Sequence, residues 1–509
     1  MQLFYSTSAL HSALQLLANS VGNILPELVL VVGLLVGIVL EITVGKRNKK
    51  VLPWVGFATL FAFGLTQLLV WPQDIPGTGF LGMIVPDQFA GFMKLLVAGG
   101  SLLAILAAIG SDRLKDHSKG MGEYYLVLIG MAVGMAFMTM ASNLLMMYLS
   151  LELVSLPAYV LTAYSKMKNK GAEASLKYVI YGSFASGVML YGISWLYGFT
   201  GTLDPASAQF AEGLAAAGIW PVTIMLTLVL SGFAYKIGAI PFHFWAPDVY
   251  EGAPHPVASL FSVAPKVAGF AMLIRFLAML PLESQPELFE QVRWILGLMA
   301  IASMFLGNLA AIRQDNFRRM LAYSSIAQIG YILAGAMFVD AGGYAVVMFY
   351  LCIYLLMNMS AFLLAGWMEE KMGIVKIKEM KGLATGLPIA AVIASVAMVS
   401  LTGLPPTGGF IAKLRLVLAG VESYQGTGNV LIVVLLIAVL VNTVISLFYY
   451  LRVPSTMIFG NPLVKTSPRF RGLVPVLLVI MCIATIWLGI FSFDRLVNFL
   501  SSLPPYLHS

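Results

Sequence analysis

Apolar stretches close to twenty residues long recur along this chain from one end to the other. A stretch of that length is what an α-helix needs to cross a hydrocarbon core about 30 Å thick. Fourteen can be delimited, at approximately 22–43, 52–71, 85–110, 122–141, 143–164, 173–199, 221–241, 257–281, 293–312, 320–339, 342–367, 385–420, 428–452 and 472–498. Of the 509 residues, 60% are hydrophobic and only 10% charged, where a soluble domain carries about 25% charged residues. The expected fold is an all-α polytopic membrane protein of about fourteen transmembrane helices in a lipid bilayer.

The loops between these stretches alternate in charge. Lys46, Arg47, Lys49 and Lys50 follow the first span, Arg113, Lys115 and Lys119 the third, and Lys166, Lys168 and Lys170 the fifth. Arg313, Arg318 and Arg319 follow the ninth, Lys371, Lys376, Lys378 and Lys381 the eleventh, and Arg452, Lys465, Arg469 and Arg471 the thirteenth. The opposite loops carry Asp74, Asp87, Asp204, Glu212, Glu283, Glu287, Glu290 and Asp340. The positive-inside rule makes the basic set cytoplasmic, which puts both termini outside and requires an even number of spans. In a typical bacterium this means the inner membrane, both termini periplasmic; otherwise an organelle or thylakoid membrane. One inner loop, "HFWAPDVYEGAPHP", departs from the pattern with Asp248 and Glu251 and no Lys or Arg. The net charge of +7 is thus a marker of orientation, and no nucleic-acid partner is expected. The N-terminus shows neither a basic n-region nor a small-residue cleavage site, so no targeting peptide is expected. Cys352 and Cys482 lie in apolar runs and are read as buried packing residues.

Nine basic residues remain within or at the ends of spans: Lys94, Lys177, Lys236, Lys266, Arg275, Arg293, Lys413, Arg415 and Arg495. Charges at bilayer depth are costly and mark function by default. Counted along the spans, Glu152, Lys236 and Lys266 lie too deep to reach water easily. Lys94, Arg275, Arg293, Arg415 and Arg495 lie nearer span ends and read as interfacial anchors; for Lys177, five residues into its span, both readings stand. Two spans look broken. The seventh carries Gly238, Pro241 and Pro247, and the twelfth Pro405 and Pro406 ahead of Lys413. Proline removes a helix hydrogen bond, and in lipid the freed group must face protein or water. Paired breaks at corresponding positions point to inverted repeats with an ion path at the midplane. Spans 7 and 12 are five apart, an odd number, so two five-helix units would have opposite topology. The expected organisation is a three-helix segment (1–121), a first repeat of helices 4–8 (122–281), a second of helices 9–13 (282–456) and a C-terminal helix (457–509).

Desolvation disfavours a lysine's charged form and a nearby carboxylate favours it, so a buried lysine beside a movable carboxylate can take up and release a proton. Glu152 and Lys236 are the expected pair. Glu152, Lys236, Lys266 and Lys413, linked by water, would form a transverse relay; His243 would share a face with Lys236 if the helix ran on through Pro241. The plain alternative is static pairs that fix helix packing. No haem-attachment, iron–sulfur, P-loop or dinucleotide pattern occurs, so no cofactor or metal is expected in the chain, and energy must come from a partner.

Five stretches carry a family resemblance: "NLLMMYLSLELVSLPAYVL" (143–161), "KYVIYGSFASGVMLYGISWLYG" (177–198), "KIGAIPFHFWAPDVYEGAPHPVASLFSVAPKVAGF" (236–270), "RRMLAYSSIAQIGYIL" (318–333) and "LTGLPPTGGFIAKL" (401–414). They resemble subunit N of respiratory complex I, one of its antiporter-like membrane subunits, over nearly the whole chain beyond the first twenty residues. The P-F-H-x-W-x-P core is shared with sister subunits L and M and with stand-alone Na⁺/H⁺ antiporters, whereas "PDVYEGAP" and "APKVAGF" are more typical of subunit N. The resemblance implies proton translocation coupled to quinone reduction elsewhere. It assigns Glu152, Lys236, Lys266 and Lys413 to the relay, with Lys177 as a sixth-helix lysine that joins the path; subunit M usually has glutamate where Lys413 stands. It implies subunit M as neighbour on one side and subunits K, J and A on the other, with NAD, FMN, iron–sulfur clusters and quinone held by partner subunits. A ferredoxin-linked donor is equally compatible. The rival readings are a subunit of a multi-subunit Na⁺/H⁺ antiporter, a membrane-bound hydrogenase containing the same module, and a structural spacer.

Overall fold

In lipid every backbone N–H and C=O must be satisfied within its own segment, which leaves helices or closed barrels as spanning structures. The computed structural model describes residues 14–505 apart from 16, 19, 46–47, 49, 72–77, 112–113, 115–120, 165–168, 283, 339–341, 462–467 and 492. Among the described residues the regular structure is helical, with only isolated bridges between extended residues. Of the charged residues used for orientation, Lys46, Arg47, Lys49, Arg113, Lys115, Lys119, Lys166, Lys168, Lys465, Asp74, Glu283 and Asp340 lie outside the described residues.

The helices are α1 (Leu25–Leu40), α2 (Val51–Leu69), α3 (Gln88–Gly110), α4 (Gly122–Met140), α5 (Leu144–Thr162), α6 (Asn169–Thr200), α7 (Ala208–Ala217), α8 (Ile219–Ile237) and α9 (Trp245–Gly252). There follow α10 (His255–Met279), α11 (Pro286–Ile312), α12 (Phe317–Ala336), α13 (Gly343–Met372), α14 (Pro388–Thr402), α15 (Gly408–Thr427), α16 (Val430–Ile458), α17 (Leu473–Ile490) and α18 (Phe493–Ser501). Twelve helices among the described residues are long and apolar enough to cross a membrane. Two of the fourteen expected spans are not in that set. The stretch 320–339 is helical as α12 but carries Ser324, Ser325 and Gln328, and 385–420 is divided into α14 and α15.

Helices α10 and α13 form the centre and are buried along almost their whole length. α10 packs on α3, α4, α8 and α13. Outward-facing positions are apolar, as on α16, where Val430, Ile437, Val444 and Phe448 are exposed. A face of that kind suits lipid or another apolar subunit.

Depth along the spans suggests interfacial anchors for Lys94, Arg275 and Arg293, and the structure corrects this. Arg275 is fully buried and makes a bidentate contact with Asp87, at 2.9 and 2.7 Å, with further bonds to the Thr139 carbonyl. Lys94 lies 2.7 Å from Glu27, and Arg293 3.1 Å from Glu290. Each cation finds its carboxylate across a helix interface or one helical turn away, so it need not reach the lipid headgroups. Arg415 and Arg495 are part-exposed and exposed, as anchors would be.

Asp87 also caps α3, accepting the Ala90 N–H at 2.8 Å. Removing one partner of a buried pair leaves an uncompensated charge, at a cost of roughly 3–5 kcal/mol. Asp87→Ala is therefore expected to lower the yield of assembled protein and its melting temperature. The double variant Asp87→Leu/Arg275→Met should recover part of the loss, both read by native electrophoresis and thermal unfolding.

Candidate functional site

Both expected breaks occur, and they are built alike. α8 ends at Ile237 with Gly238 in the left-handed region (φ 79°); the Ala239 N–H returns to the Ala234 carbonyl at 2.8 Å. α14 ends at Thr402 with Gly403 in the same region (φ 86°), and the Leu404 N–H returns to Val399 at 3.1 Å. These are glycine C-caps, which close some of the carbonyls that a helix end leaves open. A proline follows three residues after each glycine, Pro241 and Pro406, each in a cis peptide bond. Beyond the first break, the Ile240 N–H donates to Ser303 Oγ at 3.0 Å, so α11 satisfies backbone that α8 leaves free.

A buried lysine stands at each break. Lys236 lies in the last turn of α8, is 2% exposed, and donates to Ser155 Oγ at 3.0 Å and the Leu151 carbonyl at 3.4 Å on α5. Leu151 and Ser155 flank Glu152, but Lys236 and Glu152 are not in ion-pair contact; Glu152 is itself part-exposed. Lys413, on α15, donates back to the carbonyl of Thr402, the last residue of α14, at 2.8 Å. Its ammonium lies 4.2 Å from the centre of the Tyr331 ring. A side chain on Gly403 would stand 2.6 Å from Lys413 Cδ, so this glycine serves both the turn and the lysine's approach. The C-terminal end of a helix carries partial negative charge, which favours a cation there.

Lys266 follows Pro265 inside α10. Proline cannot donate to the carbonyl four residues earlier, that of Phe261, and the Tyr250 hydroxyl does so instead at 3.1 Å. Lys266 is fully buried, donates to Ser325 Oγ and lies 3.5 Å from the Tyr354 hydroxyl. Ser325 and Tyr354 bond to each other at 2.8 Å, and Asn358 donates to Tyr354 at 3.1 Å. One turn along α12 from Ser325, Gln328 accepts from the Tyr350 hydroxyl at 2.7 Å and donates to the Leu401 carbonyl at 2.8 Å and the Tyr450 hydroxyl at 3.1 Å. Leu401 precedes Thr402, which holds Lys413. Two hydrogen-bonded groups thus stand one turn apart on α12, one around Lys266 and the other reaching the residue before Thr402.

Lys177 and His243 lie elsewhere. Because α8 stops at Ile237, the shared helical face with Lys236 does not exist. His243 instead borders a cleft of about 280 Å³ with Lys177, Asp248, Arg319 and Tyr323. Lys177 is ion-paired to Glu173 and Asp248, each at 2.8 Å. Arg319 bridges Asp248 at 2.8 Å and Glu251 at 3.0 Å, and Lys170 reaches Glu251 at 3.1 Å. The acidic loop that departs from the charge pattern is therefore neutralised by α6 and α12. Among the described residues no three His, Cys, Asp or Glu side chains come together as metal ligands.

The family described as "NADH:quinone oxidoreductase/Mrp antiporter, TM" matches residues 141–442. The chain is 37% identical to NADH-quinone oxidoreductase subunit N of Chlorobium chlorochromatii, over 96% of this chain and 95% of that one. The chain belongs to the subunit N family of NADH-quinone oxidoreductases. It is also 35% identical to NAD(P)H-quinone oxidoreductase subunit 2 of a Synechococcus species, over 97% and 91% of the two chains. A chain of respiratory complex I from Thermus thermophilus, solved with bound aureothin, superposes with a TM-score of 0.74 at 27% identity, covering 93% of this chain and 98% of that one.

In this subunit N chain, depth and breaks single out the lysines but miss Ser325, Gln328, Tyr350, Tyr354, Asn358 and Tyr450. A usable signal exists for some of them. Ser325 and Gln328 stand three apart, and Tyr354 and Asn358 four apart, so each pair shares a helix face inside an apolar run.

At the cleft, burial would raise the Asp248 and Glu251 carboxyls, but hydrogen bonds from Lys177 and Arg319 to the first, and from Lys170 and Arg319 to the second, hold both below the ordinary carboxylate range. Groups of this kind stabilise the fold above that range and lose their contribution as pH falls through it. Asp248→Asn/Glu251→Gln is expected to melt below wild type at neutral pH and to converge with it in acid, read as melting temperature against pH.

Proposed function

We propose that protons move through this chain along a lateral line of buried lysines, Lys236, Lys266 and Lys413, with Glu152 at its outer flank. As a member of the subunit N family, the chain is a membrane-arm subunit of a complex I-type NADH:quinone oxidoreductase, which translocates protons and carries its redox chemistry in other subunits. The observation that carries the residue-level reading is the pair of hydrogen-bonded groups that share α12: Lys266 with Ser325 and Tyr354, and, one turn along, Gln328 with Tyr350, Tyr450 and the carbonyl next to that of Thr402, which holds Lys413. Static ion pairs would need carboxylates, whereas Lys266 and Lys413 have none within ion-pair distance among the described residues, and their partners are hydroxyls, carbonyls and ring faces.

Each lysine can hold a proton as ammonium and pass it on as amine. Ser325 and Tyr354 can receive one proton while giving up another. Gln328 is a positioning residue that holds the Tyr350 and Tyr450 hydroxyls and the α14 end at fixed places. Quinone reduction elsewhere would change the field at Glu152 and Lys236, and displacement of charge would run on toward Lys413. Moving one charge against 100 mV takes about 2.3 kcal/mol, within reach of a change in pairing at a buried lysine. Glu152 lies part-exposed among the exposed Leu149, Leu153 and Leu156. That supports a neighbouring subunit at this face, with subunit M on one side of the chain and subunits K, J and A on the other, as the family resemblance implies. Lys177 and His243 belong to the inner mouth beside Asp248 and Arg319. The inside-basic charge pattern supports outer termini and two inverted five-helix units at 122–281 and 282–456, each with one broken helix.

The experiment is donor-driven acidification of inverted membrane vesicles, with quinone reduction and complex assembly followed in parallel. Lys236→Ala is expected to assemble and to lose most pumping and coupled electron transfer; pumping at the wild-type ratio would show the lysine to be a packing charge. Gln328→Leu removes three hydrogen bonds while nearly keeping volume. It is expected to cut pumping several-fold in assembled complex, and an unchanged ratio would remove Gln328 from the path.

A further inference from the structure

One more pair of opposite charges is buried in the N-terminal three-helix segment, outside the residues matched to the family. Lys94 of α3 lies 2.7 Å from Glu27 of α1, with side chains 3% and 1% exposed. The contact is poorly directed. Neither Glu27 oxygen has an aligned hydrogen-bond donor, whereas Asp87, two turns away on α3, receives two guanidinium N–H groups and a backbone N–H. An ion pair repays its desolvation only with good geometry and further hydrogen bonds. Glu27 therefore keeps acceptor capacity that no aligned donor fills.

The helix register places this pair level with the relay. α3 meets α10 with Asp87 on Arg275 at one end and Gly100 on Ala264 at the other. Between these contacts Lys94 falls opposite Gly269 and Phe270. Gly269 is the residue whose missing side chain leaves room for Ile237 and Lys236 on the far side of α10. Lys266 is one turn of α10 inward, about 5 Å along the axis. Two more buried polar atoms without partners flank the pair: Gln67 Oε1 on α2 and Ser101 Oγ on α3. Gly64 lies on Ala98, which sets Gln67 opposite the turn that bears Lys94. Ser101 follows Lys94 by seven residues, on the same face of α3.

We propose that Glu27 and Lys94 form a proton-binding site that passes protons from the level of the relay toward the outer aqueous face. The Lys94 ammonium gives its proton to the Glu27 carboxylate, leaving an amine and a carboxylic acid. The acid releases that proton outward, and the amine takes another from the relay side, so one proton is bound for each one released. The site rests on the relay proposed above.

The test uses the whole complex in inverted vesicles. Glu27→Gln/Lys94→Gln keeps size and polarity but cannot exchange a proton, and Lys236→Ala is measured beside it. The expected result is normal assembly and quinone reduction with a loss of protons moved per electron pair. A wild-type proton yield from the double amide variant, with Lys236→Ala defective, would overturn this site and leave the relay standing. Normal pumping by Lys236→Ala would sink the relay and this site with it. Should the double amide variant fail to assemble, the reversed pair Glu27→Lys/Lys94→Glu decides. Recovery of assembly and pumping supports the proposal; failure of both variants to assemble makes the pair a packing clamp and overturns it.

Discussion

Ending a helix inside a bilayer leaves carbonyls without donors, and this chain does so twice. Each uncompensated group would cost several kcal/mol in hydrocarbon. The glycine caps at Gly238 and Gly403 close part of each end. At the second break the Lys413 ammonium takes the Thr402 carbonyl directly. At the first, Lys236 sits in the terminal turn itself and reaches across to α5. The dependence runs both ways. A lysine at this depth loses its hydration, and a helix C-terminus offers it oriented carbonyl dipoles that water cannot supply there. At these two breaks the helix end and the buried lysine occur together; Lys266, inside the unbroken α10, is served by hydroxyls instead.

Much of this is legible in the sequence, because length and apolarity translate directly into spans and because Gly and Pro mark where a helix cannot continue. Gly238 with Pro241 and Gly403 with Pro406 fix both breaks. What does not follow from a linear pattern is rotation about a helix axis and the identity of a partner far away in sequence. Arg275 reads as an anchor because it stands near a span end, yet its carboxylate lies 188 residues earlier on another helix. Glu152 and Lys236 read as a pair because both are deep, but the ammonium meets Ser155, one turn along α5 from Glu152. Gln328 is invisible for a related reason. A single neutral amide in an apolar run costs little on a hydropathy scale, and only the packing of α12 against α13, α14 and α16 reveals three hydrogen bonds converging on it.

The chemistry of those bonds separates two kinds of group along the line. A hydroxyl can exchange its donor and acceptor roles by turning about one bond, so Ser325 and Tyr354 impose no direction on a proton. An amide cannot. Gln328 accepts from Tyr350 through oxygen and donates to Leu401 and Tyr450 through nitrogen; turned over, it would lose the Leu401 carbonyl, which can only accept, and both tyrosine hydroxyls would have to reverse their roles. Between Lys266 and Lys413, then, hydroxyls that can turn stand one helical turn from an amide that holds its neighbours in one bonding pattern.

The acidic loop after the first break completes the mechanics. Asp248 and Glu251 lack basic neighbours in their own loop, but Lys170, Lys177 and Arg319 supply them from α6 and α12. Orientation is set by charge summed over a side of the membrane, so the exception is local. The consequence is that α9, the short helix after the first break, is clamped by ion pairs to α6 and α12. Its first residue, Trp245, donates from its indole to the carbonyl of Tyr235 at 3.2 Å, and Tyr235 immediately precedes Lys236. A change of protonation among Asp248, Glu251 and their partners would loosen α9, and α9 is tied to the backbone that positions Lys236. The charge cluster at Asp248 and Glu251 is thereby joined to the backbone beside Lys236 through one helix of two turns.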